Sequence, residues 1–206
     1  MNSAKNLLFL FIIILFASWI SILKQSVSQT KSREEKLTPS SQKIKIKAQQ
    51  ALEFANKKGF NTSICFLIDM SLPSGQKRFF VYDLKKDTVR NAGLVTHGRC
   101  NQLWLTGRKY GNTVGCGCSS LGKYKIGYSY NGKFGLAFKL HGLDSTNNKA
   151  FERFIVLHGH ECVPNAETKE EICQSDGCPT VAPDYLQQLK PLITASSKPV
   201  LLWIYE

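Results

Sequence analysis

The chain has 206 residues, 43% hydrophobic and 20% charged, enough for one ordinary core and too short for several large domains. That balance excludes disorder throughout and excludes a polytopic membrane protein. Lysine and arginine outnumber acids 27 to 15, and the net charge of +12 points to anionic surroundings: nucleic acid, a membrane surface or a cell-envelope polymer.

Taken in chain order, the first element is a mostly apolar run, Leu7 to Leu23, behind a short head carrying Lys5 and ahead of Lys24. It reads as an export segment, at the lower edge of membrane-spanning length, with a small-x-small cleavage site at Ser26-Val27-Ser28. Residues 1–28 are therefore expected to be a cleaved signal peptide or an N-terminal membrane anchor, and the protein is expected in the periplasm or cell envelope. Their removal takes Lys5 and Lys24 and no acid, so +12 becomes +10 and the basicity belongs to the domain. Residues 29–43, rich in Ser, Thr, Lys and Glu around Thr38-Pro39-Ser40, read as a polar linker. From Ile44 the pattern changes: Ile44, Ala48, Ala51, Leu52 and Ala55 fall at helical spacing, and Gly59 stands where a helix-ending glycine would.

The rest of the domain, residues 44–206, is written mostly in the period of strands. Ile64–Met70, Arg78–Leu84, Thr88–Val95, Phe134–Leu140, Phe154–His158 and Val200–Tyr205 are predicted strands. Leu72-Pro73-Ser74-Gly75 and Lys85-Lys86-Asp87 read as turns between the first three. Cys100–Ser120 reads as a long loop, and Asp184–Ile193 as a second helix broken near Pro191. The expected fold is mostly β, a β-rich α+β core of mixed sheet or sandwich type with a few short helices. Export places the seven cysteines, Cys65, Cys100, Cys116, Cys118, Cys162, Cys173 and Cys178, in an oxidising compartment where structural pairs are usual. Seven is odd, so at least one thiol has no partner within the chain.

Two segments carry the chemistry. Phe154-Ile155-Val156-Leu157-His158-Gly159 puts a histidine at the end of an apolar strand, and Gln174-Ser175-Asp176-Gly177-Cys178-Pro179 puts a cysteine after a glycine in a polar turn. A thiol attacks as its thiolate, and a nearby imidazole that takes its proton supplies this at neutral pH. Gly177 lets the backbone approach a bound carbonyl, so the amides of Gly177 and Cys178 are candidate oxyanion donors. On these residues alone, a disulfide cysteine and a strand-end histidine are the competing structural reading.

The order of blocks resembles the L,D-transpeptidase catalytic domain family (YkuD-like), most closely its murein L,D-transpeptidase branch. The motif is a His-Gly at a strand end, a spacer, then Ser or Thr, any residue, Gly, Cys. It corresponds here to His158-Gly159 and Ser175-Asp176-Gly177-Cys178. Ile68–Ser74 with Arg78–Leu84, Leu94–Gly98, Ser119–Gly122 and Leu140–Asp144 fall in the order the branch shows. The resemblance implies a cysteine acyltransferase acting on peptidoglycan stem peptides, with no cofactor. Cys178 is the implied nucleophile, and His158 the base and acid, its second nitrogen held by a backbone carbonyl near Gly159. Ser175 shapes the turn. Cleavage falls before the terminal D-alanine, through a Cys thioester that an acceptor amine resolves, or water in an L,D-carboxypeptidase. Two residues depart from the pattern: Asp176 stands where many members have His and the branch an aromatic, and Thr180 where many have Asn. A carboxylate beside Cys178 raises the thiol pKa unless it is paired with a cation. Cys162 and Cys173 lie outside the motif and bracket the spacer, so a disulfide between them is expected to fix the loop leading into the turn.

Other polar residues have plainer readings. His97, Cys100, Cys116 and Cys118 hold four potential zinc ligands, but Cys116-Gly117-Cys118 has one residue between thiols where structural zinc pairs have more, so no metal is expected. His160 shares the neighbourhood of His158, and His141 reads as a turn residue. Scattered basic residues without an aromatic motif, together with export, argue against nucleic acid and for an anionic envelope surface as partner. The alternatives to an enzyme are a non-catalytic envelope-binding protein and a metal-stabilised exported module.

Overall fold

The computed structural model describes residues 39–206; the expected export segment, residues 1–28, and most of the expected linker, residues 29–43, lie outside the described residues. The first helix, α1 (Pro39–Lys58), begins five residues before its expected onset at Ile44. Ile44, Ala48, Ala51 and Ala55 are its buried face, the spacing that lines up one side of a helix. Gly59 adopts φ 74°, and the Phe60 amide returns to the Ala55 carbonyl at 3.0 Å, which closes the last turn. Lys57 and Lys58 in that turn complement the helix dipole.

Eight strands follow: β1 (Ile64–Asp69), β2 (Phe79–Asp83), β3 (Thr88–Gly93), β4 (Gly122–Gly132), β5 (Gly135–Gly142), β6 (Val156–Gly159), β7 (Thr180–Val181) and β8 (Leu201–Tyr205). They form one mixed sheet in the order β3-β2-β1-β8-β4-β5-β6-β7, parallel at β1–β8 and β6–β7. The second helix, α2 (Pro183–Thr194), precedes β8. The mostly β architecture expected from the sequence is therefore present as a single sheet.

Both faces of the central strands are covered, which explains why β1 reads as an unbroken apolar run rather than an alternation. Ile64, Phe66 and Ile68 join a core with Leu202, Ile204 and the α2 residues Tyr185, Leu186 and Leu189. Cys65 and Leu67 face the opposite way, into a second core with Leu201, Tyr205 and the small side chains of α1.

Several details differ from expectation. β4 is a strand that the sequence reading left unassigned. α2 runs on through Pro191 instead of breaking, because that proline stands in the last turn and Tyr185, Leu186 and Leu189 hold the helix from its buried side. His141 lies within β5, not in a turn, and stacks on Phe151 with centroids 4.9 Å apart. Phe154 precedes β6 in a left-handed conformation, φ 57°. No helix among the described residues is long and apolar enough to cross a membrane.

Candidate active site

β6 ends on His158 and Gly159, and β7 lies parallel beside it with Thr180 in register with His158. Between them the chain makes a loop and then the turn Ser175–Cys178. Two disulfides bear on this region. One joins Cys162 to Cys173 within the loop, and the other joins Cys100 to Cys118 in the segment beneath the turn. Cys65, Cys116 and Cys178 remain thiols. Of the four potential metal ligands, Cys100 and Cys118 are thus bonded to each other. His97 is buried with its Nδ1 3.2 Å from an Arg78 guanidinium nitrogen.

The turn is sewn to the segment following β3. The Ser175 amide donates to the His97 carbonyl, and the Arg99 amide to the Ser175 carbonyl, each at 2.9 Å. The Ser175 hydroxyl donates to the Cys178 carbonyl at 2.7 Å and accepts from the Gly177 amide at 3.2 Å. The Gly177 amide, one of the two expected oxyanion donors, is therefore turned into the loop by Ser175. Gly177 has φ 110°, and a Cβ there would lie 2.6 Å from the Cys118 carbonyl oxygen, so only glycine fits.

Arg153 braces this arrangement from below. Its guanidinium donates to the Gly111 carbonyl at 3.0 Å, to the Ser120 hydroxyl, to the Cys118 carbonyl and to the Cys116 sulfur at 3.4 Å. Cys178 is half-buried, with its S–H directed at the Phe154 carbonyl 3.9 Å away. Burial raises its thiol pKa. A backbone hydrogen bond from Val156 and the Arg153 charge oppose that rise, Asp176 adds to it, and Lys139 opposes it further. Asp176 is paired with Arg99, Oδ1 to Nε 2.8 Å, in an exposed position.

His158 is buried. Its Nδ1 lies 3.0 Å from the Gly159 carbonyl, which can only accept, so the proton sits on Nδ1. Nε2 is then an acceptor and takes a hydrogen bond from the Thr180 hydroxyl at 3.0 Å. Burial lowers the imidazole pKa; the Gly159 hydrogen bond works against this and neighbouring His160 adds to it. A Cβ on Gly159 would lie 3.1 Å from the Pro183 Cα, which keeps β6 close to the start of α2.

His158 and Cys178 together line two clefts. One, about 250 Å³, is bounded by Thr96, Arg99, His160, Gln174 and Asp176. The other, about 210 Å³, is bounded by Tyr130, Lys133, Phe154 and Val156. Phe134 borders both. A buried neutral imidazole and a protonated thiol opening on two clefts can support nucleophilic acyl transfer with proton exchange.

The family model of the L,D-transpeptidase catalytic domain matches residues 34–205. The chain belongs to this family. Among solved structures, this L,D-transpeptidase catalytic domain is similar to an LD transpeptidase, LdtMt1, in complex with imipenem. Identity is 9% and the TM-score 0.42, over 69% of this chain and 59% of that one. It is also similar to the helical cell shape determining protein Pgp2 from Campylobacter jejuni, with 13% identity and a TM-score of 0.46 over 82% of this chain and 57% of that one. The chain thus spans less than three fifths of either protein. No curated protein matches it.

The structure brings His158, Gly159, Ser175, Gly177 and Cys178 into one region. Thr180, Arg153 and Phe134 join them without having been singled out as parts of the site. Thr180 carried a readable signal, its position two residues after the cysteine. Phe134 carried a weaker one, a large apolar residue inside the turn Gly132-Lys133-Phe134-Gly135.

Proposed function

We propose that this domain is a cysteine-dependent L,D-transpeptidase acting on peptidoglycan stem peptides, in the periplasm or cell envelope. The observation that carries the reading is the state of His158. Gly159 holds the Nδ1 proton, Nε2 is left basic, and the ring shares both clefts with Cys178. In this reading Cys178 Sγ attacks the carbonyl joining the third stem residue to the terminal D-alanine while His158 Nε2 takes the thiol proton. The Cys178 amide serves the oxyanion, since the Gly177 amide is engaged by Ser175. His158 returns the proton to the leaving amine, D-alanine departs, and a thioester remains. An acceptor amine then forms a new amide as the C–S bond breaks; water in its place gives the free acid. The basic surface favours an anionic envelope as surroundings.

The test is mass spectrometry of disaccharide tetrapeptide muropeptides incubated with the protein and with Cys178→Ala. Loss of terminal D-alanine with dimer formation, absent from the variant, is the expected result. No change with the reduced wild-type thiol would overturn the reading in favour of a non-catalytic envelope protein.

A further inference from the structure

The tip of the β4–β5 hairpin places an aromatic ring on the candidate base. Gly132 pairs with Gly135, leaving Lys133 and Phe134 as the two loop residues, and Gly135 takes φ 77°. A left-handed glycine at this point closes a tight hairpin, so the backbone sets the place of the tip. The Phe134 ring stacks on the His158 imidazole with centroids 5.2 Å apart and planes 16° from parallel. It also meets His160 edge-on at 5.0 Å. Yet Phe134 is 50% exposed and belongs to neither hydrophobic core. A large apolar side chain is held over a polar pair, at the boundary of the two clefts, where the cores gain nothing from it.

We propose that Phe134 is a positioning residue that steers the thioester toward amines and away from water, by fixing the His158 ring and covering its face. The inference rests on the acyl-transfer reading and deepens it. In the resolving step an N–C bond forms, the C–S bond breaks, and the proton lost by the amine passes through His158 to the Cys178 sulfur. Water follows the same path with an O–C bond, so His158 serves both nucleophiles alike and cannot choose between them. The surface around the ring can. An acceptor amine carried on an aliphatic side chain gains by packing on the Phe134 face, whereas water at that face loses hydrogen bonds. The stack also fixes the plane of His158, whose two nitrogens are already tied to Gly159 and Thr180.

The experiment compares wild type with Phe134→Ala, Phe134→Leu and Phe134→Tyr on tetrapeptide muropeptides across pH, counting dimers against hydrolysed tripeptides. In Phe134→Ala the ratio of dimer to hydrolysis falls roughly tenfold, the upper end of what a stacked pair contributes. The acid limb of the profile moves to higher pH as water reaches His158. Phe134→Tyr restores both. A folded Phe134→Ala with the wild-type ratio overturns the inference and leaves the acyl-transfer reading standing. If the alanine variant does not fold, Phe134→Leu, which keeps part of the apolar cover but cannot stack on the His158 ring, must show a smaller drop in the same direction; a wild-type ratio overturns the inference. A wild type that neither releases D-alanine nor acylates Cys178 overturns the acyl-transfer reading and this inference with it.

Discussion

Acidification should destabilise this domain through His97, a residue outside the chemistry. Its side chain is buried, its Nδ1 accepts from Arg78 at 3.2 Å, and its Nε2 has no partner among the described residues. Burial, followed by the charges of Arg78 and Arg108, pushes the imidazole pKa down to about 4 from the ordinary 6.5. Between these values the unfolded chain takes up a proton that the folded chain refuses. The contribution is therefore fully present above pH 6.5 and is lost as the pH falls through the window to about 4. At 1.36 kcal/mol per unit, the 2.5-unit gap corresponds to about 3 kcal/mol, a large part of a small domain's stability. Urea unfolding of wild type and His97→Asn at pH 7, 5.5 and 4 measures it, since asparagine keeps an acceptor toward Arg78 and cannot be protonated. Wild type should lose about 3 kcal/mol more than the variant between pH 7 and 4 at constant m-value. Equal losses would refute the assignment of the acid sensitivity to His97. The Ser175 amide donates to the His97 carbonyl, so the protection factor of Ser175 against hydrogen exchange, taken relative to the intrinsic rate at each pH, should fall over the same window.

Thr180→Val, nearly isosteric, removes the O–H that His158 Nε2 accepts and with it a stabilisation of the neutral ring; the acid limb of the rate profile should move to higher pH, and the rate on that limb fall several-fold, up to about tenfold. An unchanged profile would show that the hydroxyl does not tune the base. Gly177→Ala forces a Cβ to 2.6 Å from the Cys118 carbonyl at φ 110°. It should cost at least about 1–3 kcal/mol in thermal or urea unfolding and slow alkylation of Cys178 by displacing it. Cys162→Ser with Cys173→Ser opens a loop of sequence separation 11, with an expected stability loss of about 2–3 kcal/mol by urea unfolding.

The sequence exposed different parts of the molecule unequally, for physical reasons. β1 and β8 were legible because strands covered on both faces are nearly continuous apolar runs. β4 was left unassigned although Tyr124, Ile126, Tyr128 and Tyr130 alternate with Lys123, Lys125, Ser129 and Asn131 as in a half-buried strand; Gly127 interrupts the pattern, and the register with β5 shifts between Ile126 and Ser129. β7 has two residues and exists only because β6 lies beside it, so no local pattern could announce it. In the site, His158 and Cys178 stand in a compact motif. Arg153, Phe134 and Thr180 matter through where the sheet carries them. Phe134 reaches His158 from a hairpin tip 24 positions earlier in the chain, and spacing along the chain holds no trace of that contact. The odd number of cysteines established that a thiol was left over, while the pairing of Cys100 with Cys118 needed the fold.

The departures at positions 176 and 180 act differently once the surroundings are counted, and the one at 176 does little harm. The Asp176 carboxylate is paired with Arg99 and exposed to solvent, which screens its effect on the thiol. Burial is the larger influence on both partners, raising the thiol and lowering the imidazole. Both shifts favour the same resting state, a neutral thiol beside a neutral ring, over a preformed ion pair. In the acyl-transfer reading proposed above, the proton must then move as the sulfur attacks. Groups that favour negative charge on sulfur, the Val156 backbone hydrogen bond and the Arg153 and Lys139 charges, gain strength in the transition state compared with the ground state. That is the distribution of interactions that raises a rate rather than merely tightening binding. Thr180 acts in the opposite sense: its hydroxyl stabilises the neutral base and must give way as Nε2 takes the proton. In this reading the domain keeps its nucleophile protonated until a carbonyl is in place, which protects the thiol from oxidants that attack the thiolate.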